Sequence, residues 1–254
     1  MFLSARQQEI LDLARQSGRV LVDDLASHFE VTPQTIRKDL NDLCEHRHLV
    51  RMHGGALLPS GNENVEYEKR RLIAAREKVA IGREAALLIP HNASLFINIG
   101  TTTEAVGEAL AQHSELMVIT NNINVANKLR LYPSIEVIIA GGVVRGSDGG
   151  IVGEAAVDFI KQFKVDFAVI GASAIDEDGA LLDYDFREVK VAQAIIANAR
   201  HVILVCDSTK FERTAPVRIG HLSQVDTFIT DRCDHDRIRS VCSESDVRLI
   251  EVAD

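Results

Sequence analysis

The chain has no apolar run long enough to span a bilayer, no paired cysteine spacing, no repeat and no low-complexity tract. Each absence narrows the reading. Without a run of roughly 20 apolar residues, no transmembrane helix is expected. The start, MFLSARQQEI, lacks a basic segment followed by an apolar core, so no secretory signal is expected and a cytoplasmic location is. Four cysteines in 254 residues, Cys44, Cys206, Cys233 and Cys242, are scattered. They form neither a CxxC zinc pattern nor a disulfide frame, so reduced thiols and no metal site are expected. Positive charge is also short. The net charge is −9, which argues against a generic binder of polyanions. The shortfall is uneven: residues 1–58 carry 7 Lys/Arg against 8 Asp/Glu, so −8 falls in the remaining 196 residues. A nearly neutral segment can still bind DNA if its cations share a face.

What is present divides into two patterns. In the first segment, apolar residues at helical spacing predict a helix over about Ser4–Gln16, stopped at Gly18, and a second over Val22–Phe29. "VTPQTIRKDL" then opens a third helix. Thr32 is its cap and Pro33 takes the first position, where a missing N–H costs nothing. Ile36, Leu40 and Leu43 make its buried stripe. "HLVRMHGGALL" reads as two short strands about Gly54-Gly55. Three helices and a hairpin predict a small winged helix-turn-helix domain over residues 1–58. On the third helix, Thr32, Pro33, Gln34, Thr35, Arg37 and Lys38 form the face expected to meet operator DNA, with Arg51 and His53 on the wing. His46, His48 and His53 have no Cys or carboxylate to complete a metal set, and are read as solvated.

Residues 59–76 read as a linker: the chain turns polar from Pro59 to about Asn64, and the charged stretch up to Arg76 continues it as a helix or an extended arm. From residue 77 to 254, seven strand-like apolar runs alternate with six helix-like runs. They predict an α/β domain with a mostly parallel sheet covered on both faces. The most informative loop is "NIGTTTEAV". Gly100 lets the chain turn and Thr101, Thr102 and Thr103 open a helix, a cradle for a small anion. It is neither a P-loop nor a dinucleotide fingerprint. Four more strand ends are polar or glycine-rich: Thr120–Asn122 with Asn121 and Asn122, Ala140–Gly142 with Gly141 and Gly142, Gly171–Ser173 ending in Ser173, and Asp207–Phe211 with Lys210. Ligands of open α/β sheets bind outside the carboxyl ends of strands, so the five ends are expected to converge on a phosphorylated ligand. Lys210 is the expected charge partner of the phosphate. Arg145 is a second candidate or a solvated residue. Asp183, Glu188 and Lys190 are read either as turn-region residues or as partners of ligand hydroxyls. Glu188 with Lys190 also raises an acid/base reading.

The runs "VTPQTIRKDLNDL" and "LVRMHGGA" resemble the DNA-binding domain of the DeoR family of bacterial transcriptional regulators. The resemblance implies that Val20–Asp39 is the helix-turn-helix and that Asp39 orients a nearby cation or supports the fold. "SLFINIGTTTEAV", "AGGVVRGSDGGIVGEAAVDFI" and "IDEDGALLDYDFREV" extend it to the family's sensor domain, similar in fold to sugar-phosphate isomerases. Within the family these stretches are most like members that answer to glycerol 3-phosphate. The resemblance therefore implies repression of glycerol-3-phosphate metabolism genes, no cofactor, no catalytic residue, and an effector that is glycerol 3-phosphate or a related phosphorylated sugar. Double-stranded operator DNA is the expected partner, with no membrane, and a homo-oligomer, dimer or tetramer, is expected to read an inverted repeat. An isomerase-like enzyme carrying a DNA-binding domain, and an activator, are the competing readings.

Overall fold

The structure, a computed structural model, describes residues 3–17, 19–46, 48–52, 54–57 and 67–252. The chain divides into two compact units, residues 1–62 and 63–254.

The N-terminal unit holds α1 (Ala5–Ser17), β1 (Arg19–Leu21), α2 (Val22–His28), α3 (Pro33–Glu45), β2 (Val50–Met52) and β3 (Gly55–Leu57). A capping box starts α1: Ser4 Oγ accepts from Gln7 N at 3.2 Å and Gln7 Oε1 accepts from Ser4 N at 3.0 Å. Ile10, Leu25, Ile36, Leu40, Leu43 and Ala56 close one apolar core. The sequence reading anticipated the β2–β3 hairpin but not β1, which pairs antiparallel with β3 to give the order β1-β3-β2. Three residues are too few to show periodicity. Gly55 permits the pairing: a Cβ there would stand 2.1 Å from Val20 O.

Thr32 caps α3 as expected, its Oγ1 accepting from Thr35 N at 3.3 Å, with Pro33 in the first turn. Thr32→Ala is expected to lower the stability of this unit by about 1 kcal/mol, and Thr32→Ser to keep it. The unit's unfolding midpoint measures this; an unchanged midpoint in the alanine variant would remove the cap from the account.

The C-terminal unit begins with α4 (Tyr67–Leu72) and α5 (Ala75–Leu87). Then follow β4 (Ser94–Ile97), α6 (Thr101–Ala109), β5 (Leu116–Thr120), α7 (Ile123–Leu129) and β6 (Ile135–Ile139). A small hairpin, β7 (Val143–Val144) and β8 (Ile151–Val152), leads to α8 (Glu154–Ile160) and β9 (Val165–Ile170). Next come β10 (Ala174–Ile175), β11 (Ala180–Asp183), α9 (Phe186–Ala197), β12 (Ala199–Val205), β13 (Val217–His221), β14 (Thr227–Thr230), α10 (Asp236–Glu244) and β15 (Arg248–Glu251). Seven strands form one parallel sheet in the order β15-β14-β12-β9-β4-β5-β6. They are the seven apolar runs of the sequence. Side chains alternate between two cores: Phe96, Ala168, Ile170, Leu204 and Phe228 on one face, Leu95, Ile97, Val169, Ile203 and Ile229 on the other. Burial on both faces is why these strands read as unbroken apolar runs. Residues 67–72, placed in the linker by the sequence reading, are helical and belong to this unit.

From β4 the chain winds outward through β5 and β6, then returns to lay β9 against the other side of β4. The β4–β9 junction is therefore the switch point of the sheet, where a crevice opens between diverging connections.

Candidate functional site

A small, partly open cavity lies at that junction, lined among others by Gly100–Thr103, Ser173, Asp183, Glu188, Lys210 and Arg70. The loop after β4 forms one wall. Gly100 precedes α6 with φ of +149°, a conformation that suits glycine. Thr103 Oγ1 donates towards Asn98 O (2.7 Å) and Gly100 O (2.8 Å), so its hydroxyl shapes the loop. The side chains of Thr101 and Thr102 make no hydrogen bond among the described residues. With the first N–H groups of α6, which have no acceptor within the helix, they present donors to the cavity.

Lys210, in the turn after β12, lines the same cavity. It is only 8% exposed, and among the described residues no hydrogen bond or ion pair holds its ammonium. Burial pushes its pKa down, while Asp207 favours the charged form. A buried cation without a partner is costly and is satisfied when an anion enters. Asp183 and Glu188 also line the cavity. Asp183 Oδ2 accepts from Ser173 Oγ at 3.0 Å, and burial pushes its pKa up. Glu188 Oε2 accepts from Arg145 Nη2 at 2.5 Å. Burial and the neighbouring Asp183 push its carboxyl up to about 8, against the pull of Arg145. Hydroxyl and N–H donors, a buried cation and two carboxyl groups line this one cavity, a set that suits a molecule carrying both a phosphate and hydroxyls.

Of the five strand ends expected to converge, three do: those after β4, β9 and β12. Asn121 and Asn122 lie apart from the cavity lining and are fully buried. Asn121 Nδ2 donates to Ile151 O at 3.2 Å, and Asn122 caps α7 through Asn124 N at 2.9 Å. Gly141 and Gly142 are exposed beyond β6, the sheet edge. Lys190 also lies outside. It is exposed and pairs with Glu154 at 2.6 Å, so no Glu188–Lys190 acid/base pair forms. Arg145 is not solvated. It pairs with Asp148, Asp185 and Glu188 at 2.7, 3.3 and 2.5 Å.

In the N-terminal unit, Thr32, Pro33, Gln34, Arg37 and Lys38 are exposed on α3, opposite the buried Ile36, Leu40 and Leu43. Among the described residues Arg37 and Lys38 have no ion-pair partner. Thr35 is half-buried and its Oγ1 lies 2.9 Å from Thr32 Oγ1, so it belongs to the cap. Asp39 is buried and takes Arg6 Nε at 2.6 Å, which makes it a tie between α3 and α1 rather than a partner of Arg37 or Lys38. Arg51 is exposed on β2; His53 lies outside the described residues. His46 Nδ1 lies 2.7 Å from Asp42 O, and no metal-ligand cluster occurs among the described residues.

Two family models match: the DeoR-like helix-turn-helix domain over residues 6–61, and the DeoR C terminal sensor domain over residues 73–232. The chain belongs to the DeoR family. Among curated DeoR-like relatives, the glycerol-3-phosphate regulon repressor of Escherichia coli is 46% identical over 96% of this chain and 97% of that protein. The protein of the same name from Haemophilus influenzae is 50% identical over 89% of each. The HTH-type transcriptional repressor CsqR of Escherichia coli is 37% identical over 96% of this chain and 94% of that one. Among solved structures, ribose 5-phosphate isomerase A from Neisseria gonorrhoeae aligns at a TM-score of 0.39 and 12% identity, over 53% of this chain and 52% of that one. In this DeoR-family chain, Arg70 lies between the two matched spans. The sequence reading missed it because α4, "YEKRRL", has no apolar stripe to mark it.

Proposed function

We propose that the chain is a DNA-binding transcriptional repressor of glycerol-3-phosphate metabolism genes, released from its operator when the C-terminal unit binds glycerol 3-phosphate. The observation that supports the reading most is one cavity lined by Gly100–Thr103, Asp183, Glu188 and the buried Lys210, whose ammonium no hydrogen bond or ion pair holds among the described residues. The phosphate sits against the α6 N-terminus and Lys210; the hydroxyls face the carboxylates. The relatives at 46% and 50% identity are glycerol-3-phosphate regulon repressors, which supports both repression and this effector. The exposed Gln34, Arg37 and Lys38 of α3 enter the major groove, with Arg51 beside them on the wing. A dimer or tetramer presents two such helices to an inverted repeat. The ligand releases DNA only by favouring a conformation of lower operator affinity.

Operator binding followed by fluorescence anisotropy, titrated with glycerol 3-phosphate, fructose phosphates and deoxyribose phosphate, tests DNA binding and effector together. Glycerol 3-phosphate is expected to weaken operator binding at least about tenfold, a coupling of about 1.4 kcal/mol. Release by a different phosphate alone would reassign the effector. Measurable isomerase turnover abolished by Glu188→Ala would sink the pure-repressor reading.

A further inference from the structure

The helix that opens the C-terminal unit, α4, follows directly on the segment joining the two compact units. None of its residues is buried, so no apolar packing fixes it. Polar ties hold it instead. Tyr67 Oη donates to Glu104 Oε2 at 2.7 Å and accepts from Asn124 Nδ2 at 2.9 Å. Lys78 Nζ donates to Arg70 O at 2.5 Å and Ile73 O at 2.6 Å. The guanidinium of Arg70 reaches the cavity and pairs through Nη2 with Asp148 Oδ2 at 3.1 Å.

The Arg70–Asp148 tie is open to exchange. Arg145 also holds Asp148, through two hydrogen bonds of 2.8 and 2.7 Å, so the carboxylate stays paired without Arg70. Arg70 Nε is buried and, among the described residues, has no acceptor. It is a donor facing an anion cavity with nothing to donate to. A carboxylate already shared by two guanidiniums is a weaker competitor for Arg70 than a phosphate dianion, because guanidinium–phosphate pairing is fork-like and strong. We infer that Arg70 is the residue through which the effector acts on α4: without ligand it ties the helix to Asp148, and the bound phosphate takes the guanidinium over. This rests on the reading of the cavity as a phosphate site. The backbone of Arg70 answers to the same cavity, because Lys78 bonds its carbonyl and lies 3.8 Å from Asp207, at the start of the turn that carries Lys210. The ligand thereby reaches the segment leading to the DNA-reading unit.

The test uses the full chain. Calorimetry measures glycerol 3-phosphate binding, and hydrogen exchange with mass spectrometry follows peptides spanning Tyr67–Leu72. In the wild type, saturating ligand is expected to change α4 exchange at least about threefold. Arg70→Ala should bind the ligand about tenfold more weakly, and at saturation its α4 exchange should no longer respond. Asp148→Asn removes the competitor and is expected to bind several-fold more tightly, a change that a merely structural role would not produce. Wild-type binding with α4 exchange unchanged would overturn this inference alone, as would an Arg70→Ala variant that binds and responds like the wild type. Absence of any wild-type binding would overturn the phosphate reading, and this inference with it.

Discussion

Lys210→Met is expected to abolish the response to glycerol 3-phosphate while making the ligand-free protein more stable. The two effects share one cause. In the free protein the ammonium is buried and, among the described residues, held by no hydrogen bond or ion pair, and burial works against its charge more than Asp207 favours it. Replacing such a group by an apolar side chain of similar length removes a desolvation cost, so the unfolding midpoint should rise, by the equivalent of about 1 kcal/mol or more. In the complex the same ammonium meets the phosphate away from water, where charge-assisted bonds are strong. Its loss should cost at least about a hundredfold in affinity, equivalent to about 2.7 kcal/mol. Ligand-induced stabilisation, which grows as the logarithm of ligand over Kd, should then vanish at concentrations that saturate the wild type. Operator affinity without ligand should stay within about twofold. Calorimetry with melts on both proteins, with and without ligand, measures all of this. Unchanged affinity in the variant would take Lys210 out of the site and leave the phosphate without its main charge.

What the sequence made legible follows the physics of each element. The seven parallel strands are buried on both faces, so each is an apolar run bounded by turns, and the runs at residues 94, 116 and 165 correspond to β4, β5 and β9. The threonine loop was readable because a glycine at a strand end followed by three hydroxyl residues is a local pattern. The sequence left α4 open between a helix and an extended arm, because its hold is polar and long-range, with Tyr67 meeting Glu104 37 residues away and Arg70 meeting Asp148 78 residues away. Arg145 was obscured for the same reason, since its partner Glu188 lies 43 residues on. The antiparallel pieces β10, β11 and β13 are two to five residues long and lie too close to turn signals to show a period.

Lys190 shows a different principle: it lies two residues from Glu188 on α9, and residues two apart on a helix do not face each other. Glu188 and Lys190 could not both point into one cavity, and the structure sends them to different surroundings. Asn121 and Asn122 lie apart from the cavity lining for a reason the local sequence does not carry. A strand-end asparagine that binds a ligand and one that caps the next helix have the same local sequence. Only the strand order separates them, because β5 lies beyond β4 while the crevice opens between β4 and β9.

The second large effect belongs to Arg37. With −8 of the chain's charge outside residues 1–58, little general attraction to DNA is available, and the few exposed cations of α3 must carry a large share of the affinity. Arg37→Ala is expected to weaken operator binding by about 5- to 150-fold, the range for a side chain worth about 1–3 kcal/mol at a base edge or phosphate. Salt dependence tells the two roles apart. If Arg37 grips a phosphate, the slope of log affinity against log salt falls by about 0.9, and operator and unrelated DNA weaken together. If it reads a base, the slope changes less and the preference for the operator narrows at one position in each half-site. Effector affinity should be unaffected in either case, since Arg37 lies in the other compact unit. Anisotropy titrations at several salt concentrations, on operator and scrambled duplexes, measure each quantity. An Arg37→Ala variant with wild-type operator affinity at physiological salt would remove the exposed face of α3 from the DNA interface and leave the wing residue Arg51 to account for binding.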